Sequence, residues 1–230
     1  MPNRSKVYRH KADNLGDRKK LHELVEALQK LKGSANDRES CDLHIRLGIN
    51  PRKPEQNVRG NLILPKGTGK TPRIIVFAKG DKVQEALDAG ADMAGLQDIL
   101  EKIQGGWLDF DVALAVPDCM KEVSKVARVL GPRGLMPSPK SGTLADAIGP
   151  LVKEFKAGKL EYRNDKTGII HTTVGRMSFQ QEDLEENIRH VVDVVLKVKP
   201  PTIKGIYVKS LYVGTTQVPA LKLDVVQFMR

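Results

Sequence analysis

Cysteine is almost missing from this chain: Cys41 and Cys119 are the only two in 230 residues, and they stand 78 positions apart. That spacing gives neither a zinc motif nor a disulfide framework, so both thiols are expected to be reduced. Aromatic residues make up 4%, too few for a protein that stacks successive bases of a single strand, and Trp107 and Phe110 read as core anchors. No run approaches the ~18 apolar residues of a membrane helix. The basic start, Met-Pro-Asn-Arg-Ser-Lys, has no apolar stretch behind it and is not a secretory signal. A cytoplasmic protein without membrane contact is expected. The five histidines, His10, His22, His44, His171 and His190, show no metal-ligand spacing. Neither a metal nor another cofactor is expected.

The chain has charge in excess, and it is placed unevenly. The formal net charge is +10. Residues 1–67 with 159–230 hold 26 Lys/Arg against 16 Asp/Glu, whereas residues 68–158 hold 12 of each. A polyanionic partner therefore meets the two ends of the chain, not its middle.

Hydrophobic periodicity divides the chain in the same way. Residues 74–78 and 112–116 are short apolar runs, each followed by a turn and then by helical spacing, at Val83, Ala86 and Leu87 and at Val123, Val126, Ala127 and Leu130. Leu96, Ile99, Leu100 and Ile103 mark a further helix. This pattern predicts a small parallel α/β domain. In residues 42–49, Leu43, Ile45, Leu47 and Ile49 alternate with polar residues, as in a half-buried antiparallel strand. Residues 160–163, 169–174, 206–213 and 221–226 read as strands, and 183–198 as a helix. Neither flank has enough strands for a stable sheet alone. The expected organisation is one discontinuous domain, 1–67 with 159–230, into which 68–158 is inserted. The crossings Lys66-Gly67-Thr68-Gly69-Lys70 and Ala157-Gly158-Lys159 place Gly67, Gly69 and Gly158 as hinge residues.

One loop is stiff and basic. Residues 128–142 read Arg-Val-Leu-Gly-Pro-Arg-Gly-Leu-Met-Pro-Ser-Pro-Lys-Ser-Gly, without an acid. Pro132, Pro137 and Pro139 fix φ, while Gly131, Gly134 and Gly142 permit positive φ. Arg133 and Lys140 then project from a fixed frame, which suits a shaped RNA, although a rigid crossover loop needs the same residues. Arg52, Lys53, Arg59 and Lys66 lie in a stretch whose only acid is Glu55; Arg52, Arg59 and Lys66 are expected RNA contacts, although ordinary surface charge needs the same residues. Gly67-Thr68-Gly69-Lys70-Thr71 imitates the end of a phosphate-binding loop, but Leu64 stands where its first glycine belongs and a strand follows instead of a helix. Cys119 after Asp118 sits at a helix start, where a dipole lowers a thiol pKa. An α/β enzyme using Cys119 or the Gly69-Lys70-Thr71 turn is the rival reading.

With Leu47-Gly48-Ile49, Gln56-Asn57-Val58-Arg59-Gly60, Leu64-Pro65-Lys66-Gly67-Thr68-Gly69-Lys70, the stiff loop and Glu161-Tyr162-Arg163-Asn164-Asp165-Lys166-Thr167-Gly168, the chain resembles the bacterial L-one family of ribosomal proteins over nearly its whole length. The resemblance implies a discontinuous α+β domain with a split antiparallel sheet and an inserted Rossmann-like three-layer α/β domain. It also implies a non-enzymatic protein, monomeric when free, that binds stalk rRNA of the large (50S) subunit, assists the release of exit-site tRNA and represses its own operon mRNA. The implied RNA contacts are Ser40, Asp165, Lys166, Thr167, Ser210, Thr215 and Thr216, with Gln217 beside them and with Arg133 and Lys140 as RNA or tRNA contacts of the inserted domain. The chain departs from the family at Asn36-Asp37, where Lys-Phe is usual, and at Gln217-Val218, where Met-Gly is usual. These departures bear on affinity and on repression.

Overall fold

The computed structural model describes residues 6–17 and 20–229; the basic start at residues 1–5 lies outside them. The chain is mixed α/β and forms two compact units, Met1–Gly69 with Tyr162–Arg230, and Lys70–Glu161.

The first unit opens with helices α1 (Lys6–Leu15) and α2 (Leu24–Ser34) and strands β1 (Ser40–Leu47) and β2 (Arg59–Ile63). In α2 the apolar residues Leu24, Ala27, Leu28 and Leu31 recur every three or four positions and are all buried. The second unit follows with β3 (Ile74–Phe77), α3 (Asp81–Asp88), β4 (Met93–Gly95), α4 (Gln97–Gln104), β5 (Val112–Ala115), α5 (Met120–Val123), α6 (Ala127–Leu130) and α7 (Ile148–Lys156). Strand β6 (Lys159–Arg163) carries the chain back, and β7 (Ile169–Arg176), α8 (Gln181–Lys197), β8 (Val208–Thr215) and β9 (Leu221–Leu223) complete the first unit.

The main sheet of the first unit has the order β7-β1-β8-β9 and β2 pairs with β6, so both sheets draw on both ends of the chain. Strand β1 lies antiparallel between β7 and β8. Leu43, Ile45, Ile170, Val174, Leu211 and Val213 fill its inner face, all 0% exposed, under Leu184, Ile188 and Val191 of α8 and Leu28 and Leu31 of α2. Each such side chain contributes about 1.5–3 kcal/mol of transfer free energy. Two expected strands are displaced by two residues. β1 spans 40–47 instead of 42–49, because at Gly48 the chain passes so close to Ile206 that a Cβ would lie 2.3 Å from its carbonyl oxygen. The strand expected at 206–213 is Val208–Thr215, and the one expected at 221–226 ends at Leu223, with Val226–Phe228 forming a 3-10 turn.

In the second unit a parallel sheet of order β4-β3-β5 has β3 at its centre, its four residues all buried. The helix expected over 123–130 is interrupted: a 3-10 turn, Ser124–Val126, separates α5 from α6. There the Ser124 hydroxyl donates to the Met120 carbonyl at 2.7 Å, a local bond that competes with the helical ladder.

Candidate nucleic-acid interface

Alternation along β1 puts Ser40, Asp42, His44 and Arg46 on the face opposite the core. Cross-strand register extends that open face. His44 lies between His171 of β7 and Tyr212 of β8, Asp42 between Thr173 and Gly214, and Arg46 between Ile169 and Ser210, while Lys222 of β9 stands beside Tyr212. Directly opposed residues share a face. Ser40 and Ser210 are therefore on one surface at its two ends. The His44 and His171 rings meet Nδ1 to Nδ1 at 2.9 Å, one donating and the other accepting, with an interplanar angle of 64°. The Thr173 hydroxyl donates to Asp42 at 2.7 Å.

At one end of this face lies the β6–β7 turn. Asp165 Oδ1 accepts from the Thr167 and Ile169 N–H groups at 2.8 Å each, and the Thr167 hydroxyl also donates to the carboxylate. Partial burial opposes ionisation, yet these bonds hold the carboxyl down to about 2. Gly168 closes the turn at φ 79°, where an L side chain is strained and a Cβ would lie 3.1 Å from Ile49. Asp165 and Thr167 are thus occupied in shaping the turn, and Lys166, exposed like Thr167, lies between them. Arg52 and Arg59 are brought to the same place. Pro51 approaches Gly168, and the Val58 N–H donates to the buried Asn164 side chain at 2.7 Å, fixing the residues before Arg59 against the start of the turn. Lys66 is not brought there. Its ammonium lies 3.5 Å from Asp183 and 3.4 Å from Glu186 of α8, and hydrogen bonding to Glu186 raises its pKa.

Glu39, only 6% exposed, organises the other end. It accepts from Lys11 Nζ at 3.2 Å, the Asn36 N–H at 3.1 Å, the Thr215 hydroxyl at 2.5 Å and the Gln217 N–H at 3.1 Å. Burial works to raise the Glu39 pKa, but these donors lower it on balance. The carboxylate joins the loop before β1 to the loop after β8, and a cleft between them is lined by Asn36, Asp37, Arg38, Glu39, Thr216 and Gln217. Thr215 spends its hydroxyl on Glu39, whereas Thr216 and Gln217 are exposed and Val218 is buried. Both departures from the family pattern therefore border one cleft.

Sequence reasoning missed Glu39, His44 and His171. The polar phase of the β1 alternation already marked His44, but His171 became its partner only through register. Glu39 reads as an ordinary surface acid until the loop after β8 folds over it.

In the second unit Arg133 and Lys140 are both exposed on the stiff loop. The loop is held by hydroxyl groups as well as proline: Ser138 and Ser141 meet at 2.6 Å, and Ser141 and Thr143 at 2.9 Å. Gly134 and Gly142 have positive φ, but Gly131 does not; it is helical at φ −58°, and its bare Cα leaves room for the Ala127 carbonyl 2.8 Å from where a Cβ would be. At the crossings Gly67, Gly69 and Gly158 have φ of 67°, 70° and 108°. The catalytic candidates change character. Cys119 is buried, and burial pushes its thiol pKa up, the opposite of the lowering expected at a helix start. The Gly69-Lys70-Thr71 turn leads into β3 and has no helix to complete a phosphate loop. Among the described residues no group of three His, Cys, Asp or Glu is arranged to hold a metal, and no helix is long and apolar enough to cross a membrane.

The family model described as "Ribosomal protein L1p/L10e family" matches residues 27–219. The chain is 47% identical over 226 residues to the large ribosomal subunit protein uL1 of Kosmotoga olearia, a similarity covering 97% of each chain.

Proposed function

The chain belongs to the ribosomal protein L1p/L10e family, and from that premise we propose that it is a structural, non-enzymatic rRNA-binding protein of the large ribosomal subunit, working in the cytoplasm. The observation that carries the RNA contact is the open sheet face, with the Arg52, Arg59 and Lys166 cluster at one end and the Thr216-Gln217 loop, held by Glu39, at the other. The exposed cations Arg52 and Lys166 fix phosphates, and the loop offers hydroxyl, amide and backbone groups to a folded RNA, a combination that reads shape more than sequence.

The stalk rRNA of the large subunit is the proposed ligand of the discontinuous domain, residues 1–67 with 159–230. The inserted domain, 68–158, has no net charge of its own but presents Arg133 and Lys140 on a rigid loop. Its proposed role is to swing on Gly67, Gly69 and Gly158 and assist the movement of exit-site tRNA. A Rossmann-like layering of this domain is part of the same reading. Repression of the protein's own operon is proposed through an mRNA site that imitates the rRNA site. Sedimentation of the full chain with isolated large subunits in moderate salt tests the assignment. Co-sedimentation in stoichiometric amount is expected. A shortened chain in which a Gly/Ser linker joins residue 67 to residue 159 should still bind stalk rRNA; if it folds and fails while residues 68–158 bind tightly, the domain roles are reversed.

A further inference from the structure

The two ends of the open face are separated by the length of β1 between Ser40 and Arg46, about 20 Å at ~3.4 Å per residue. An RNA that touches both ends crosses the middle, and the middle is His44 with His171. His171 is 54% exposed, and His44 is partly exposed beside it. Among the described residues, the charged or titratable groups that register and contact set beside the pair come from the sheet itself and the adjoining turn. On β1 these are Asp42, bonded to Thr173, and Arg46; on β8 and β9 they are Tyr212 and Lys222. At the turn Asp165 lies 3.7 Å from His171 Nε2 with its carboxylate already held by Thr167 and Ile169.

We propose that the His44–His171 pair is a phosphate-contact element at the centre of the RNA-binding face, so that RNA binding draws a proton onto it. The inference rests on the RNA-binding reading above and adds its central contact. The geometry supplies the reason. Two rings joined Nδ1 to Nδ1 share one hydrogen, and a further proton on the accepting ring sets two N–H groups against each other. An RNA phosphate laid across the rings accepts from both and removes that opposition. In the free protein burial, followed by repulsion from His171, lowers the His44 pKa, while Asp42 works in the other direction. A phosphate raises it in the complex. The complex then holds more protons than the free partners, and affinity rises as pH falls through the histidine range.

The test is to titrate the full chain against a stalk-rRNA fragment at constant salt from pH 8.0 to 5.5, beside the double variant His44→Asn/His171→Asn, which keeps a polar group near each Nδ1 position but cannot titrate. Wild type is expected to bind about tenfold more tightly at the acidic end, the change that one pKa unit between free and bound states produces. The double variant is expected to lose that dependence. Calorimetry in buffers of different ionisation enthalpy should show proton uptake by wild type alone. If both proteins bind with the same pH profile, the proposal is overturned and the RNA-binding reading stands. If neither binds the fragment at any pH, both fall.

Discussion

Glu39 is a carboxylate with almost no solvent and four donors, and its removal separates two loops that the sequence places 176 positions apart. Glu39→Gln retains the size of the side chain but turns an amide N–H₂ toward groups that are themselves donors, leaving at least one buried donor unsatisfied. The expected cost is about 1–3 kcal/mol at pH 7, measured by urea unfolding. Because the folded pKa of Glu39 is depressed, its contribution is present above the unfolded carboxylate value and is lost as pH falls through the folded one. The difference between wild type and variant should therefore shrink below about pH 4. The neighbouring threonines separate shape from contact. Thr215→Val removes a donor to Glu39 and should lower stability, whereas Thr216→Val, at an exposed residue, should leave stability within about 0.5 kcal/mol and weaken RNA binding by about 1–3 kcal/mol. Equal RNA affinity for wild type and Thr216→Val in filter-binding titrations would place the contact elsewhere in the loop.

Helix α8 holds the first crossing through one residue. Asn187 is 0% exposed among Leu184, Ile188, Val191 and Val195; it accepts from the Lys66 N–H at 3.1 Å and donates to the carbonyls of Val174 at 2.8 Å and Gly67 at 3.2 Å. Asn187→Ala orphans all three backbone groups and should cost on the order of 2–3 kcal/mol, with faster amide exchange at Lys66 as the local sign. The periodicity of α8 was legible, since a 3.6-residue apolar stripe depends only on local order. Asn187 was not, because a polar residue inside that stripe is explained only by the backbone that arrives from 120 positions away. The same limit governs the candidate site. The residues of the 165–168 turn carry their conformation in their own chemistry and were found. The partners of Glu39 and the facing of His44 by His171 depend on long-range register and were not. The two-residue displacement of β1 follows from Gly48 against Ile206, a close approach that alternation does not encode.

For the whole molecule the uneven charge becomes a statement about salt. The net +10 lies in the terminal segments, so affinity for rRNA should arise largely from counterions released there. The logarithm of K should fall by about 0.7–0.9 per phosphate neutralised for each decade of salt, with roughly five such contacts. The structure separates the cations that share in this from those that do not. Lys166 is exposed beside a turn whose own carboxylate is fully engaged by Thr167 and Ile169, so Lys166→Ala should reduce the slope by about one unit. Lys66 already faces Asp183 and Glu186, so its positive field is cancelled at the distance of an approaching phosphate, and Lys66→Ala should leave the slope unchanged. Titrations at four or five salt concentrations, with wild type and both variants against one rRNA fragment, decide the matter. A slope lost on Lys66→Ala and retained on Lys166→Ala would move the phosphate contacts from the open sheet face to the side of the unit where α8 meets the first crossing.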